Sequence, residues 1–519
     1  MKNLATLSVF FLGAVSFVFA KISTPAIFGS NMVLQRDHAC PVWGWADPNS
    51  SVSLTFAGKT YDAKADQSGN WRITLSPLEE SSDPENMIIS YGKNLPDSLV
   101  YENILVGEVW LCSGQSNMQW AINRSDDADL EALSANHPNL RLISVPQVGT
   151  QIPQNNFKGS WAPASPDTAA SFSAVGFLFG SRLHQILGVP VGLINNAWGG
   201  SACEAWIPRD RLRANPMSLP YLKMWEEKEK TYHYETLLKA YEEKLVQWQA
   251  EQKAGKTKVR APQKPRNDMT GQHRPANLYH GVLSPIIGYG IRGAIWYQGE
   301  TNAGRGHAYR ETFPLMIQSW REAWAQGDFP FYWVQLADYM AESTKPGDST
   351  WAELRESQTR TLDKLKNVGE AVIIDAGEGR DIHPRNKQIV ANRLLRHALA
   401  RDYGHSVPHQ SPRYQSMEIK GNKVLINFKS VDGSLYCFDT KTPIGFSICG
   451  EDQKFVWAEA NIVGKDKVEV WANSVPSPIA VRYAWSDNPA CNLYDKIGAI
   501  TLPVTPFRTD DFALTTLGK

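Results

Sequence analysis

The chain has 519 residues, with 53 Lys+Arg against 53 Asp+Glu and a formal net charge of +0. At ~150 residues per domain this length gives about three domains, and 42% hydrophobic with 20% charged residues is an ordinary globular composition that excludes global disorder. The charge balance argues against a nucleic-acid binder or a polybasic membrane-surface protein, and no internal run reaches the ~18 apolar residues of a membrane-spanning helix.

The first twenty residues read as a secretory signal. Lys2 supplies a short positive region, Leu4 to Phe19 is almost wholly apolar, and Val18-Phe19-Ala20 presents small residues for cleavage before Lys21. The mature protein is therefore expected to be secreted or periplasmic, an oxidising setting that permits disulfides. The cysteines are Cys40, Cys112, Cys203, Cys437, Cys449 and Cys491. Sequence does not choose among their pairings. Cys112 lies in an apolar run and reads as a buried free thiol. No CxxC or HExxH spacing occurs, so neither metal nor cofactor is expected.

Residues 21–104 read as a β-sandwich domain. Ser51–Phe56, Trp71–Leu75 and Met87–Tyr91 are short strands separated by turn clusters such as Asp66-Gln67-Ser68-Gly69-Asn70. The pattern then changes. Residues 105–404 alternate apolar strand runs (Val109–Cys112, Leu140–Val145, Val189–Asn195, Ile291–Tyr297, Phe331–Leu336, Ala371–Ile374) with helical patterns around Phe177–Leu187 and Tyr309–Trp324. Such alternation implies βαβ units and a mostly parallel sheet. A charged insertion at about 220–270 interrupts it, reading as one or two exposed helices followed by an extended loop. Residues 405–519 return to β character, as a separate domain or a complement to the first.

In an open parallel sheet, ligands bind beyond the carboxyl ends of the strands. Three polar clusters fall at such ends. Gly114-Gln115-Ser116-Asn117-Met118 follows one strand, and a Ser in a tight strand-to-helix turn offers both a nucleophilic hydroxyl and an oxyanion-binding N–H. Trp198-Gly199-Gly200-Ser201 follows another, with backbone amides free to approach an oxygen closely. Trp296-Tyr297-Gln298-Gly299-Glu300-Thr301-Asn302 follows a third, and its amides give hydrogen bonds without a proton to lose. Asp381-Ile382-His383-Pro384 adds a candidate general base with an acid nearby.

These four pieces, in this order, resemble the SGNH hydrolases and, more closely, the secreted sialate O-acetylesterase family. Met32-Val33-Leu34-Gln35-Arg36, Pro41-Val42-Trp43-Gly44, Ala484-Trp485-Ser486-Asp487-Asn488-Pro489 and Pro506-Phe507-Arg508-Thr509 extend the likeness to both ends. The resemblance implies an α/β SGNH-type, flavodoxin-like three-layer sandwich flanked by β-sandwich-like regions. It implies a serine carboxylic-ester hydrolase acting on an acetylated glycan. Ser116 would attack the acetyl carbonyl and His383 would take its proton. The oxyanion would be held by the N–H of Ser116, by Gly200 in preference to Gly199, and by Gln298 in preference to Asn302. Asn117 and Glu300 would support the substrate or the site.

One departure stands out. Many SGNH enzymes place the acid three residues before the His, and here that residue is Arg380. Asp381, Asp375 or a backbone carbonyl would then orient His383. Two competing readings are a catalytically silent glycan-binding protein and a glycosidase using Glu300 with Asp381 as a carboxylate pair. Neither a nucleic-acid partner nor a membrane span is expected, and the oligomeric state is open.

Overall fold

The computed structural model describes residues 22–92, 97–255 and 259–519. The expected export signal lies outside them. Among the described residues no helix is long and apolar enough to cross a membrane.

The N-terminal strands are β1 (Val33–Gln35), β2 (Cys40–Trp45), β3 (Ser51–Phe56), β4 (Lys59–Lys64), β5 (Asn70–Leu75) and β6 (Ser81–Tyr91). Strands β2 and β5 pair antiparallel, and β3 pairs with β4 and β6. Alternating burial in β5 places Trp71, Ile73 and Leu75 on the inner face, as a half-buried strand requires. Strand β7 (Asp97–Gly114) is 18 residues long. It pairs antiparallel with β6 and then continues as a parallel strand. One strand thus joins the first β layer to the central sheet, running through the position where the composition changes.

The central sheet adds β8 (His137–Ser144), β9 (Ala162–Ala164), β10 (Val191–Asn195), β11 (Gly293–Tyr297), β12 (Phe331–Val334) and β13 (Val368–Ala371). The spatial order is β13-β12-β11-β7-β10-β8-β9, with β9 alone antiparallel in this path. Leaving the edge pair β8 and β9 aside, β10-β7-β11-β12-β13 is the 2-1-3-4-5 order of flavodoxin-like sheets. Every residue of β11 and β12 is buried, because helices cover both faces. Trp296 and Trp333 point to one side, into a core shared with Phe313 and Trp320 of the helix Gly306–Trp324. Ile295 and Tyr332 point to the other, beneath the helices Ala174–Leu187 and Lys387–Arg401. The result is the α/β three-layer arrangement implied by the resemblance.

Chain order reverses at β7, which lies between β10 and β11. That is the switch point where an open α/β sheet leaves a crevice. Ser116 follows β7, Gly199 and Gly200 follow β10, and Gln298 follows β11.

Antiparallel sheets fill 413–508. Their core includes Val372 and Ile374 from just after β13. Arg355, fully buried, locks this region to the central sheet by donating to the carbonyls of Leu336, Ala337, Ser486 and Asp487. All six cysteines are free, and Cys112 is buried.

The insertion forms two helices, Leu219–Thr231 and Tyr234–Lys253. The first buries Tyr221, Leu222 and Trp225, while the second buries nothing. Its charged residues are a solvated surface over most of their length.

Candidate active site

The turn after β7 is shaped by Gly114, whose φ is +139°; a Cβ there would lie 2.2 Å from the Tyr297 carbonyl oxygen. Glycine lets β11 approach, and the Gln115 N–H then donates to that same carbonyl at 2.9 Å. Ser116 opens the short helix Ser116–Gln119 that follows. His383 lies on the loop between β13 and the helix Lys387–Arg401. The Ser116 hydroxyl donates to His383 Nε2 at 2.9 Å, and Nδ1–H donates to Asp381 Oδ1 at 3.2 Å. The same Oδ1 accepts the His383 backbone N–H at 2.9 Å, and the Asp381 side chain is 51% exposed. Asp381 is therefore the acid at the ring. Asp375 is held elsewhere, in a two-point ion pair with Arg393 at 2.5 and 2.8 Å.

The His383 imidazole sits below its ordinary basicity. Burial is the largest influence, Asp381 opposes it, and the positive charges of Lys387 and Arg124 add to it. The ring is neutral at neutral pH and able to accept a proton.

Trp198 and Ser201 close a turn in which Gly200, at φ +70°, takes the position that requires a left-handed backbone. The Gly199 N–H donates to Gln119 Oε1 at 2.7 Å. Among the described residues no acceptor bonds the N–H of Gly200. Position 200 is thus the one with an amide to spare for an oxyanion.

Gln298 departs from the expectation drawn for it. It is wholly buried; its Nε2 donates to the Ser201 carbonyl at 3.0 Å and to Asn302 Oδ1 at 2.8 Å, and its Oε1 accepts from Tyr309 at 2.8 Å. Both amide hydrogens are committed, so no donor is left for an oxyanion. Asn302 Nδ2 donates to Glu204 at 3.0 Å, and its Oδ1 accepts from the Cys203 N–H at 3.0 Å. These two amides brace the loops after β10 and β11.

Asn117 has a clearer part. Its Nδ2 donates to Glu300 Oε1 at 2.6 Å and to the Ile382 carbonyl at 3.0 Å, and its Oδ1 accepts from Lys387 Nζ at 2.6 Å. It ties the residue after Ser116 to the residue before His383. Burial pushes Lys387 down to about 7 and raises Glu300. The Glu300 carboxylate faces Asn117, and Oε2 is buried without a partner. Glu300 is thus engaged by Asn117, whereas Asp381 is engaged by His383. Lys387 escaped sequence reasoning because a lysine gives no local sign that it will be buried.

Ser116 and His383 open onto a cleft of about 620 Å³ that also meets Trp120, Arg124 and Gln147. The family model for carbohydrate esterases described as sialic acid-specific acetylesterases matches residues 274–391, which include β11 and His383. A carbohydrate acetylesterase from Xanthomonas citri, known from its crystal structure, is 34% identical and superposes with a TM-score of 0.77, covering 95% of this chain and 100% of that one. The chain belongs to the sialate O-acetylesterase family. Sialate O-acetylesterases of Mus musculus and Homo sapiens are each 28% identical, over 95% and 92% of this chain and 97% and 90% of their own. As a member of the sialate O-acetylesterase family, the chain is a carboxylic-ester hydrolase.

Proposed function

We propose that the protein removes O-acetyl groups from glycans through a Ser116 acetyl-enzyme. The observation that carries this reading is the 2.9 Å approach of Ser116 Oγ to His383 Nε2 at the sheet's switch point. Ser116 passes its proton to Nε2 as Oγ bonds to the acetyl carbon. The N–H groups of Ser116 and Gly200 receive the carbonyl oxygen as it becomes negative. Collapse breaks the bond to the sugar oxygen, which takes the proton from Nε2. Water then gives a proton to Nε2 and attacks the acetyl group. Acetate leaves as Ser116 Oγ regains that proton. Asp381 keeps Nδ1 protonated, so that Nε2 is the accepting nitrogen throughout.

The substrate class follows from the relatives, named for sialate or carbohydrate acetyl esters. Acetate release from a panel of O-acetylated sugars tests the assignment. Hydrolysis of none of them by wild-type protein would refute it. We also propose export, on the strength of Leu4 to Phe19; a mature N-terminus at Lys21 outside the cytoplasm is the corresponding measurement.

A further inference from the structure

A second cleft, of about 500 Å³, lies beside the first. Gln119 and Gln147 line both. Two amide side chains therefore form the ridge between them: Gln119 Oε1 accepts the Gly199 N–H at 2.7 Å, and Gln147 Nε2 donates to the Ala197 carbonyl at 3.2 Å. The second cleft begins within one side chain of the reacting serine. Its far wall is the inserted segment, through Tyr234, Arg266 and Gln272, and its near wall includes Trp198.

That wall is fastened on both sides. The Tyr234 hydroxyl donates to the Pro265 carbonyl at 3.2 Å, the Tyr232 hydroxyl to the Arg266 carbonyl at 3.1 Å, and Lys228 pairs with Asp268 at 2.6 Å. Toward the sheet, the Ala202 N–H donates to the Gln272 carbonyl at 3.2 Å, and Asn277 Nδ2 bonds the carbonyls of Met269 and Gly271 at 3.0 and 2.8 Å. The chain from 265 to 272 is thus pinned between the inserted helices and the loop that carries Gly200.

The lining has the chemistry of a sugar site. Trp198 and Tyr234 offer flat rings. Gln119, Gln147, Gln272 and Arg266 offer hydrogen-bond donors. No Asp or Glu lines either cleft, and among the described ion pairs none involves Arg266. A donor-rich wall without carboxylates suits an acceptor-rich ligand, such as the ring, glycosidic and acyl oxygens of a sugar residue.

We infer that the insertion builds a second sugar subsite, which takes the residue adjoining the acetylated one, so that the favoured substrate is an acetylated oligosaccharide. The inference rests on the Ser116–His383 reading. Contacts to an adjoining, unreacting sugar form before the chemical step and persist through it, so they lower KM more than they raise kcat.

The test compares one O-acetylated sialic acid as the free sugar with the same residue at the end of a sialyl-lactose trisaccharide. Wild-type protein should show the higher kcat/KM on the trisaccharide, through KM. Tyr234→Ala and Arg266→Ala should each reduce that trisaccharide-to-monosaccharide ratio about tenfold, the effect of one good contact. The ratio is read within each variant, so a partly folded preparation does not distort it. A second arm titrates deacetylated sialyl-lactose into Ser116→Ala protein by calorimetry, with the affinity falling about tenfold when Arg266→Ala is added. Ratios equal to wild type in both variants, with both substrates turned over, would overturn the subsite and leave the catalytic reading intact. Turnover of neither substrate by wild-type protein would instead overturn the catalytic reading, and the titration would then decide the subsite by itself.

Discussion

The imidazole of His383 lies face to face with the indole of Trp120, ring centroids 4.8 Å apart and planes 15° from parallel. The indole is itself fixed: its Nε1–H donates to the Arg124 carbonyl at 2.8 Å, and the Arg124 guanidinium sits 3.9 Å from its centroid. Trp120 therefore limits the tilt of the ring that, in the proposed mechanism, receives the Ser116 proton. Trp120→Ala should lower kcat by about 10–10²-fold, as expected for a reacting group free to move by ~1 Å. Trp120→Phe, which keeps a flat face, should recover most of the rate. Equal loss in both variants would point to a role other than stacking.

The half-exposed position of Asp381 sets the size of its effect. A buried carboxylate at this place is worth ~10⁴ in rate when replaced by Asn. Here Oδ1 is shared between the ring and the backbone N–H of His383. Asp381→Asn should cost about 10²-fold in kcat, while His383→Ala should be nearly inactive. An Asp381→Asn enzyme as inactive as His383→Ala would show that solvent exposure does not weaken the contact. An unaffected one would leave the backbone to orient His383.

The pH profile should carry the sign of the charges around His383. The proposed mechanism uses the neutral ring, so the rate should fall in acid as the ring gains a proton. Because burial, Lys387 and Arg124 hold its basicity down, the acid limb should lie below the ordinary 6.5. Arg124→Gln removes a positive charge that disfavours the imidazolium, so it should move the acid limb upward. An acid limb above 6.5 in the wild-type enzyme, or a downward move in Arg124→Gln, would contradict this account.

Gln298 separates a bracing role from an oxyanion role. Gln298→Ala leaves the Tyr309 hydroxyl and the Ser201 carbonyl without their buried partner. Each buried polar group left unpaired costs ~1–3 kcal/mol. The urea midpoint should therefore fall, and whatever rate is lost should accompany that loss. An unchanged midpoint with a 10²–10³-fold fall in kcat would return Gln298 to the oxyanion hole.

The sequence carried the reacting groups more legibly than their supports. Ser116 stood out because a polar turn directly follows an apolar strand run, and a parallel sheet puts its ligands there; His383 stood out because an acid, Asp381, lies two residues before it. Gln298 did too, but nothing in the pattern tells whether an amide points to the cleft or to Tyr309. Strand β13 was expected at Ala371–Ile374 and is found at Val368–Ala371. The apolar residues beyond it serve different ends: Ile373 completes the central core, while Val372 and Ile374 join the C-terminal one. The helical character of the insertion was readable from composition, but not its division into two helices. The placement of residues 265–272 along the neighbouring cleft was not legible there either, because it depends on tertiary contacts such as that of Tyr234 with Pro265.

Ser116 as the nucleophile is the central claim, and acetate release by Ser116→Ala tests it most directly. The variant should fold as the wild type does, by urea midpoint and circular dichroism. Its kcat/KM on an O-acetylated sugar should fall by on the order of 10⁴–10⁶. A folded Ser116→Ala protein that releases acetate within tenfold of the wild-type rate would contradict the account.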